Sequence, residues 1–224
     1  MSSARISVII TGASGMVGEG VLHECLNHPA IDRVLVIGRR PCGTTHPKMK
    51  EVLHSDFFNL TPIADQLQGY QACYFCLGVS SVGLDEAAYH HLTYDLTVHA
   101  AEVMLSKNPG MTFVYVSGAA TDSTEKGKIM WARVKGKTEN KILSMGFGKA
   151  FAFRPGIMKP TPGLKNTLKL YYWFGWLYPI IKMISPGTAS TLAVVGQAMI
   201  NVTIKGYNKS ILEVRDIIAA GEGK

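Results

Sequence analysis

A chain of 224 residues, 47% hydrophobic and 17% charged, is long enough to bury one substantial core, which excludes a disordered, fibrous or disulfide-stapled protein. Four cysteines (Cys25, Cys42, Cys73, Cys76) are too few for a disulfide framework and suit a reducing compartment. The net charge of +7 is uneven: residues 1–112 hold seven of the 23 Lys/Arg and ten of the 16 Asp/Glu, so the second half is strongly basic, as suits an anionic ligand, nucleic acid or a membrane surface.

The N-terminus, Met-Ser-Ser-Ala-Arg, lacks the charged start, apolar stretch and cleavage site of a secretory signal, so a cytoplasmic location is expected. Ile6 to Ile10 (I-S-V-I-I) is a β-branched run ending at Thr11-Gly12 and predicts a buried strand entering a tight turn. Met16, Val17, Val21, Leu22 and Cys25 follow at helical spacing until Pro29. Further strands are predicted at Arg33 to Gly38, Glu51 to His54 and Ala72 to Leu77. Asp85 to Lys107 reads as a long helix with Asp85 at its N-cap, closed by Asn108-Pro109-Gly110. Thr112 to Val116 is a fifth strand, Lys128 to Met145 a helix, and Ala150 to Phe153 a sixth strand. This alternation predicts a parallel α/β sheet of the Rossmann type with helices on both faces, in one domain spanning residues 1–224.

After Gly156 the rhythm changes, and residues from about 157 to 224 are expected to form a small cap on the substrate side. Thr191 to Val202 predicts a helix, Ser210 to Val214 a strand and Arg215 to Ala220 a short final helix.

Thr11-Gly12-Ala13-Ser14-Gly15-Met16-Val17-Gly18 puts glycines three residues apart, after a strand and at a helix start. Gly12 permits the turn, Gly15 lets backbone approach a pyrophosphate, and Gly18 lets helix and strand pack closely. The free N–H groups and dipole of the helix start then face the phosphates. Gly38-Arg39-Arg40 ends the second strand where an NAD site offers a carboxylate to the ribose; two guanidinium groups suit a 2′-phosphate, so NADP(H) is preferred over NAD(H).

The G-x-x-G-x-x-G spacing headed by T-G-A-S-G, V-Y-V-S-G-A-A at Val114 to Ala120, Lys135, and F-R-P-G at Phe153 to Gly156 resemble the short-chain dehydrogenase/reductase superfamily. The likeness is to its extended and atypical members, including epimerase/dehydratase relatives and the Tat-interacting oxidoreductase-like proteins, over residues 5 to 160. It implies cofactor contacts from Gly12, Ser14, Gly15, Met16, Val17, Gly18, Arg39, Arg40, Asp56, Phe57, Leu77, Gly78 and Lys135. Asp56-Phe57 resembles the adenine-contacting position and Leu77-Gly78 the backbone beneath the cofactor. In the superfamily a tyrosine moves the proton, a lysine four residues later holds the ribose, and a serine orients the carbonyl. Here Lys135 and Ser117 stand at the matching places, but Trp131 replaces the tyrosine. An indole donates a hydrogen bond yet does not deliver a proton as a phenol does.

The resemblance therefore implies an NADP(H)-binding oxidoreductase or epimerase/dehydratase-like enzyme for a small carbonyl or hydroxyl substrate. A catalytically weakened NADPH-binding sensor is the alternative. Tyr178-Pro179-Ile180-Ile181-Lys182 also fits Tyr-x-x-x-Lys, but Pro179 is poor inside a helix. Cys73 and Cys76, three apart on a strand, should diverge as core cysteines, and no metal-ligand spacing occurs, so no metal is expected. His90-His91 should not share a helix face. Leu170 to Ile181 is aromatic, flanked by Lys169 and Lys182, and too short to cross a bilayer. It suits a substrate pocket, membrane-surface contact through 169–182, or core packing. The basic excess is dispersed without a helix-turn-helix or stacking motif, so nucleic acid is not an expected partner.

Overall fold

The computed structural model describes residues 5–166 and 187–224. A parallel sheet runs in the order β3-β2-β1-β4-β5-β6-β9, with β1 Ile6–Thr11, β2 Ile31–Gly38, β3 Met49–Leu53, β4 Ala72–Phe75, β5 Thr112–Val116, β6 Lys149–Phe153 and β9 Ile211–Leu212. Strands β7 (Ile157–Lys159) and β8 (Ala189–Thr191) pair separately. The described helices are α1 Met16–Asn27, α2 Glu86–His90, α3 Leu96–Lys107, α4 Met130–Leu143, α5 Leu192–Lys205 and α6 Val214–Gly221. Chain order reverses between β1 and β4, and this switch point opens a crevice at the carboxyl ends of the strands.

Both faces of the sheet are covered, which explains why its central strands are apolar without alternation. Val8, Ile10, Ala72 and Tyr74 pack under α1, α5 and α6 with Val21, Leu22, Val195, Met199 and Ile217. Ile9, Cys73 and Phe75 point the other way, into Ile63, Leu67, Ala101, Met104 and Ile142. Each large side chain so buried contributes about 1.5–3 kcal/mol. Helices α1 and α5 touch through small residues: a Cβ on Gly20 would lie 2.8 Å from Leu192 Cβ, and one on Gly196 2.6 Å from Glu24 Cγ. The residues after Gly156 therefore also supply an edge strand and a covering helix to the main sheet.

Several boundaries differ from the expected ones. β4 stops at Phe75, two residues early, because the Cys76 carbonyl crosses the Gly12 turn. Val214 leaves the last strand to start α6, since Glu213 and Asp216 form a capping box. The helix begun by Asp85, whose carboxylate accepts from the Ala88 N–H at 2.8 Å, is broken by a π turn at His91–Asp95. That wider turn corrects the expectation for His90 and His91: both reach Asp95, at 3.4 and 3.1 Å, because the extra residue rotates them toward one side. Cys73 and Cys76 do diverge, into opposite core layers. All four cysteines are free, and burial pushes the Cys76 thiol up to about 12. Among the described residues no group of His, Cys, Asp and Glu has metal-site geometry, and no helix is long and apolar enough to cross a membrane. Leu170 to Ile181 and the Tyr178–Lys182 pair lie outside the described residues.

Candidate cofactor and reaction site

The glycine turn is built from backbone contacts. Gly12 has φ +74°, and a Cβ there would sit 2.6 Å from the Cys76 carbonyl oxygen; a Cβ on Gly18 would sit 2.2 Å from the Gly12 oxygen. Only a bare backbone lets β1, α1 and the end of β4 meet this closely. The Gly15 N–H donates to the Gly12 oxygen at 2.9 Å, and Gly15 stands at the N-cap of α1 with no side chain capping the helix. A Cβ on Gly15 would meet only the Gly12 oxygen, at 3.4 Å, so its outer side is open. Ser14, Met16 and Val17 are half-buried around it. An open glycine and uncapped helix N–H groups fit a diphosphate.

Beside this turn lies a cavity of about 180 Å³ lined by Arg39, Asp56, Phe57, Leu77, Gly78 and Leu96, with Ser55, Phe58, Val79 and Leu92 completing the wall. Five residues expected to touch the cofactor thus meet in one place, from the ends of β2, β3 and β4. Phe57 contributes its flank, its ring being only 2% exposed in the core. Asp56 is held by accepting from the Phe58 N–H at 2.9 Å. Arg40 is exposed next to Arg39 but does not line the cavity. Leu92 and Leu96 were not anticipated; they arrive from the π turn and the start of α3, a distortion invisible in apolar spacing.

Ser117, Trp131 and Lys135 occupy the other end, beyond β5. Ser117 follows β5 and is buried. Its N–H donates to the Phe153 oxygen at 2.9 Å, its hydroxyl donates to Glu139 Oε1 at 2.5 Å, and its carbonyl accepts from Lys135 Nζ. Trp131 is half-buried one turn before Lys135 on α4. Removal from water lowers the Lys135 pKa to about 8, a shift that the Glu139 carboxylate partly opposes.

Glu139 is fully buried and pairs with Arg154, which donates through Nε at 3.0 Å and Nη2 at 2.5 Å. Arg154 also reaches Glu213 at 3.0 Å and Ser123 Oγ at 2.5 Å. The Glu139 hydrogen bond raises the Arg154 pKa further. The sequence reading missed Glu139, although it lies four residues after Lys135 and so on the same helix face; Arg154, a charge ending a buried apolar strand, was the matching signal.

A family model described as NAD dependent epimerase/dehydratase family matches residues 8–127. The chain is 23% identical over 229 residues to "Protein fmp52, mitochondrial" of Emericella nidulans, covering 92% of this chain and 90% of that one. It is 29% identical over 155 residues to Protein HTATIP2 of Rattus norvegicus, covering 68% and 62%. Among solved structures it resembles the Helicobacter pylori ADP-L-glycero-D-manno-heptose-6-epimerase at TM-score 0.66, with 16% identity, 96% of this chain and 80% of that one. The dTDP-glucose 4,6-dehydratase DesIV of Streptomyces venezuelae, determined with NAD bound, matches at TM-score 0.67, with 15% identity and 96% and 80% coverage. The chain belongs to the NAD dependent epimerase/dehydratase family, within the extended short-chain dehydrogenase/reductase group.

Proposed function

We propose that the chain, acting as one cofactor-binding unit, is an oxidoreductase or epimerase/dehydratase-like enzyme that prefers NADP(H) and acts on a small carbonyl or hydroxyl compound. The observation that carries this reading is the junction of the uncapped Gly12–Gly18 turn with the cavity that holds Arg39 and Asp56. The N–H groups of α1 would take the diphosphate, and Asp56, Leu77 and Gly78 would border the adenosine. Arg39, with Arg40 beside it, would take a 2′-phosphate through charge-assisted forked bonds. Lys135 would hold the nicotinamide ribose beside Ser117. When bound, the nicotinamide supplies or accepts a hydride. Trp131 supports the second reading, an NADPH sensor with weakened turnover, since no phenol stands at its position.

Fluorescence titration with NADPH and NADH tests the proposal. NADPH is expected to bind about tenfold or more tightly than NADH, the scale of one or two charge-assisted hydrogen bonds. Binding of neither at millimolar levels overturns both readings; equal binding overturns the role of Arg39 and Arg40. The free thiols support a reducing compartment, the cytoplasm first; imaging of the tagged full chain scores it against the mitochondrion, which the fungal relatives' names carry.

A further inference from the structure

We propose that the substrate is a small oxo or hydroxy acid, and that Arg215 grips its carboxylate in a cavity built on the turn at residues 153–156. The proposal rests on the nicotinamide reading above and deepens it by naming the substrate class.

The cavity, of about 540 Å³, lies between the chain after β5, the residues before β8 and the start of α6, and its wall includes Ala119, Thr188, Glu213 and Arg215. Each side of it is fastened to the chain that ends β6. The Ala119 N–H donates to the Pro155 oxygen at 3.0 Å, the Ile157 N–H donates to the Thr188 oxygen at 3.1 Å, and Arg154 donates to Glu213 at 3.0 Å. A Cβ on Gly156 would lie 2.4 Å from the Thr188 oxygen and 3.1 Å from Val214 Cγ2, so bare backbone lets these walls meet. The Ser117 N–H donates to the Phe153 oxygen, which sets the cavity beside the serine at the end of β5. Next to Ala119, Ala120 is held at φ +65°, a left-handed conformation that persists in an alanine only where its surroundings impose it.

The charges lining the cavity differ in how they are used. Lys209 pairs with Asp216 at 2.6 Å, and Glu213 pairs with Arg154. Arg215 is exposed at the cavity wall, and among the described residues it forms no ion pair. Its place is set by Gly187. A Cβ on Gly187 would sit 2.3 Å from Arg215 Nε and 2.8 Å from its Cγ, so the arginine stem lies along bare backbone. Gly187 has no positive φ, so its conformation gives no reason for glycine, whereas room for the arginine does. The guanidinium presents a planar fork of N–H donors that matches the two oxygens of a carboxylate. One unpaired cation is balanced by one carboxylate; a phosphate dianion would also face Glu213 and Asp216. A carboxylate held at Arg215 directs the rest of the molecule toward Ala119 and the end of β5.

Phenylglyoxal labelling of the full chain, read arginine by arginine by mass spectrometry, tests this without turnover. The probes are pyruvate and 4-carboxybenzaldehyde, each beside its neutral methyl ester, and inorganic phosphate. Both acids are expected to slow labelling of Arg215 about fivefold at concentrations several times their Kd, and the esters and phosphate to have little effect. Gly187→Ala displaces the arginine stem and is expected to abolish this protection. With NADPH, kcat/KM for 4-carboxybenzaldehyde is expected to exceed that for its ester about tenfold, and Arg215→Met to remove the preference, the scale of a charge-assisted fork. No protection by either acid, equal protection by acids and esters, or stronger protection by phosphate overturns the proposal. So does protection unchanged in Gly187→Ala, or a preference for the acid that survives Arg215→Met. Protection of Arg215 by the acids in a chain that binds neither nicotinamide nucleotide sinks the nicotinamide reading alone and leaves the carboxylate site standing.

Discussion

At the glycine-turn end of the crevice the constraints are backbone against backbone, with Gly12, Gly18 and the Cys76 carbonyl in contact and no side chain involved. At the Ser117–Lys135 end they are side-chain hydrogen bonds gathered round a buried ion pair. The first kind of construction admits no substitution without moving the main chain, but it is indifferent to the reaction served. The second can exchange one chemical group while the rest stand, and on the proposed reading Trp131 beside Lys135 is such an exchange.

Variants at the glycines should show the largest effects. Gly18→Ala drives a Cβ into the Gly12 carbonyl, so the fold itself should lose about 1–3 kcal/mol or more, read by chemical denaturation. Gly15→Ala places its Cβ at an ordinary 3.4 Å from protein atoms and should leave the denaturation midpoint nearly unchanged. Its methyl group would occupy the diphosphate's approach and weaken NADPH binding by about 100-fold. Equal loss of stability in both variants would erase the distinction between a packing glycine and a ligand-facing one.

Next comes the cavity rim. Replacing both Arg39 and Arg40 by alanine should weaken NADPH by about 10- to 100-fold and leave NADH nearly unchanged, since charge-assisted bonds contribute about 1.5–3 kcal/mol. A parallel fall for both cofactors would reassign the pair to general electrostatic attraction. At the side-chain-built end, Trp131→Tyr should raise reduction of generic carbonyl probes by about tenfold or more, a modest share of what a placed acid provides. Unchanged turnover with intact NADPH binding would show that the tryptophan does not stand in the proton path.

The two ends also differ in how far the sequence disclosed them. The turn and the bodies of the six longer strands were legible because glycine spacing and β-branched runs record backbone geometry directly: Thr112–Val116 is a strand to the residue. Strands β7 and β8, of three residues each, are too short to carry a period, β9 is a two-residue remnant of the strand expected at Ser210 to Val214, and the 3-10 helix at Thr61–Leu67 hides among turn-forming residues. The π turn packs against α4, a contact between distant parts of the chain that no local pattern encodes. At the reaction end the residue types were visible, yet the direction of the Ser117 hydroxyl depends on Glu139 and Arg154, 22 and 37 positions away in the chain.

The smallest expected effect concerns stability and pH at Lys135. Its folded-state pKa, about 8, lies below the ordinary 10.5 that it regains on unfolding. Between those values the unfolded chain binds more protons than the folded one, so stability rises with pH across this window; below about 8 the cost of the buried charge is fully present. Because the residue is only partly buried, water screens part of that cost, and about 1 kcal/mol is the reasonable scale. Denaturation of the wild type and of Lys135→Met at several pH values isolates it. The wild type should gain on the variant as pH climbs from about 8 toward 10. A constant difference would mean that the ammonium titrates as it does in water, and the end of β5 would then hold an ordinary surface lysine.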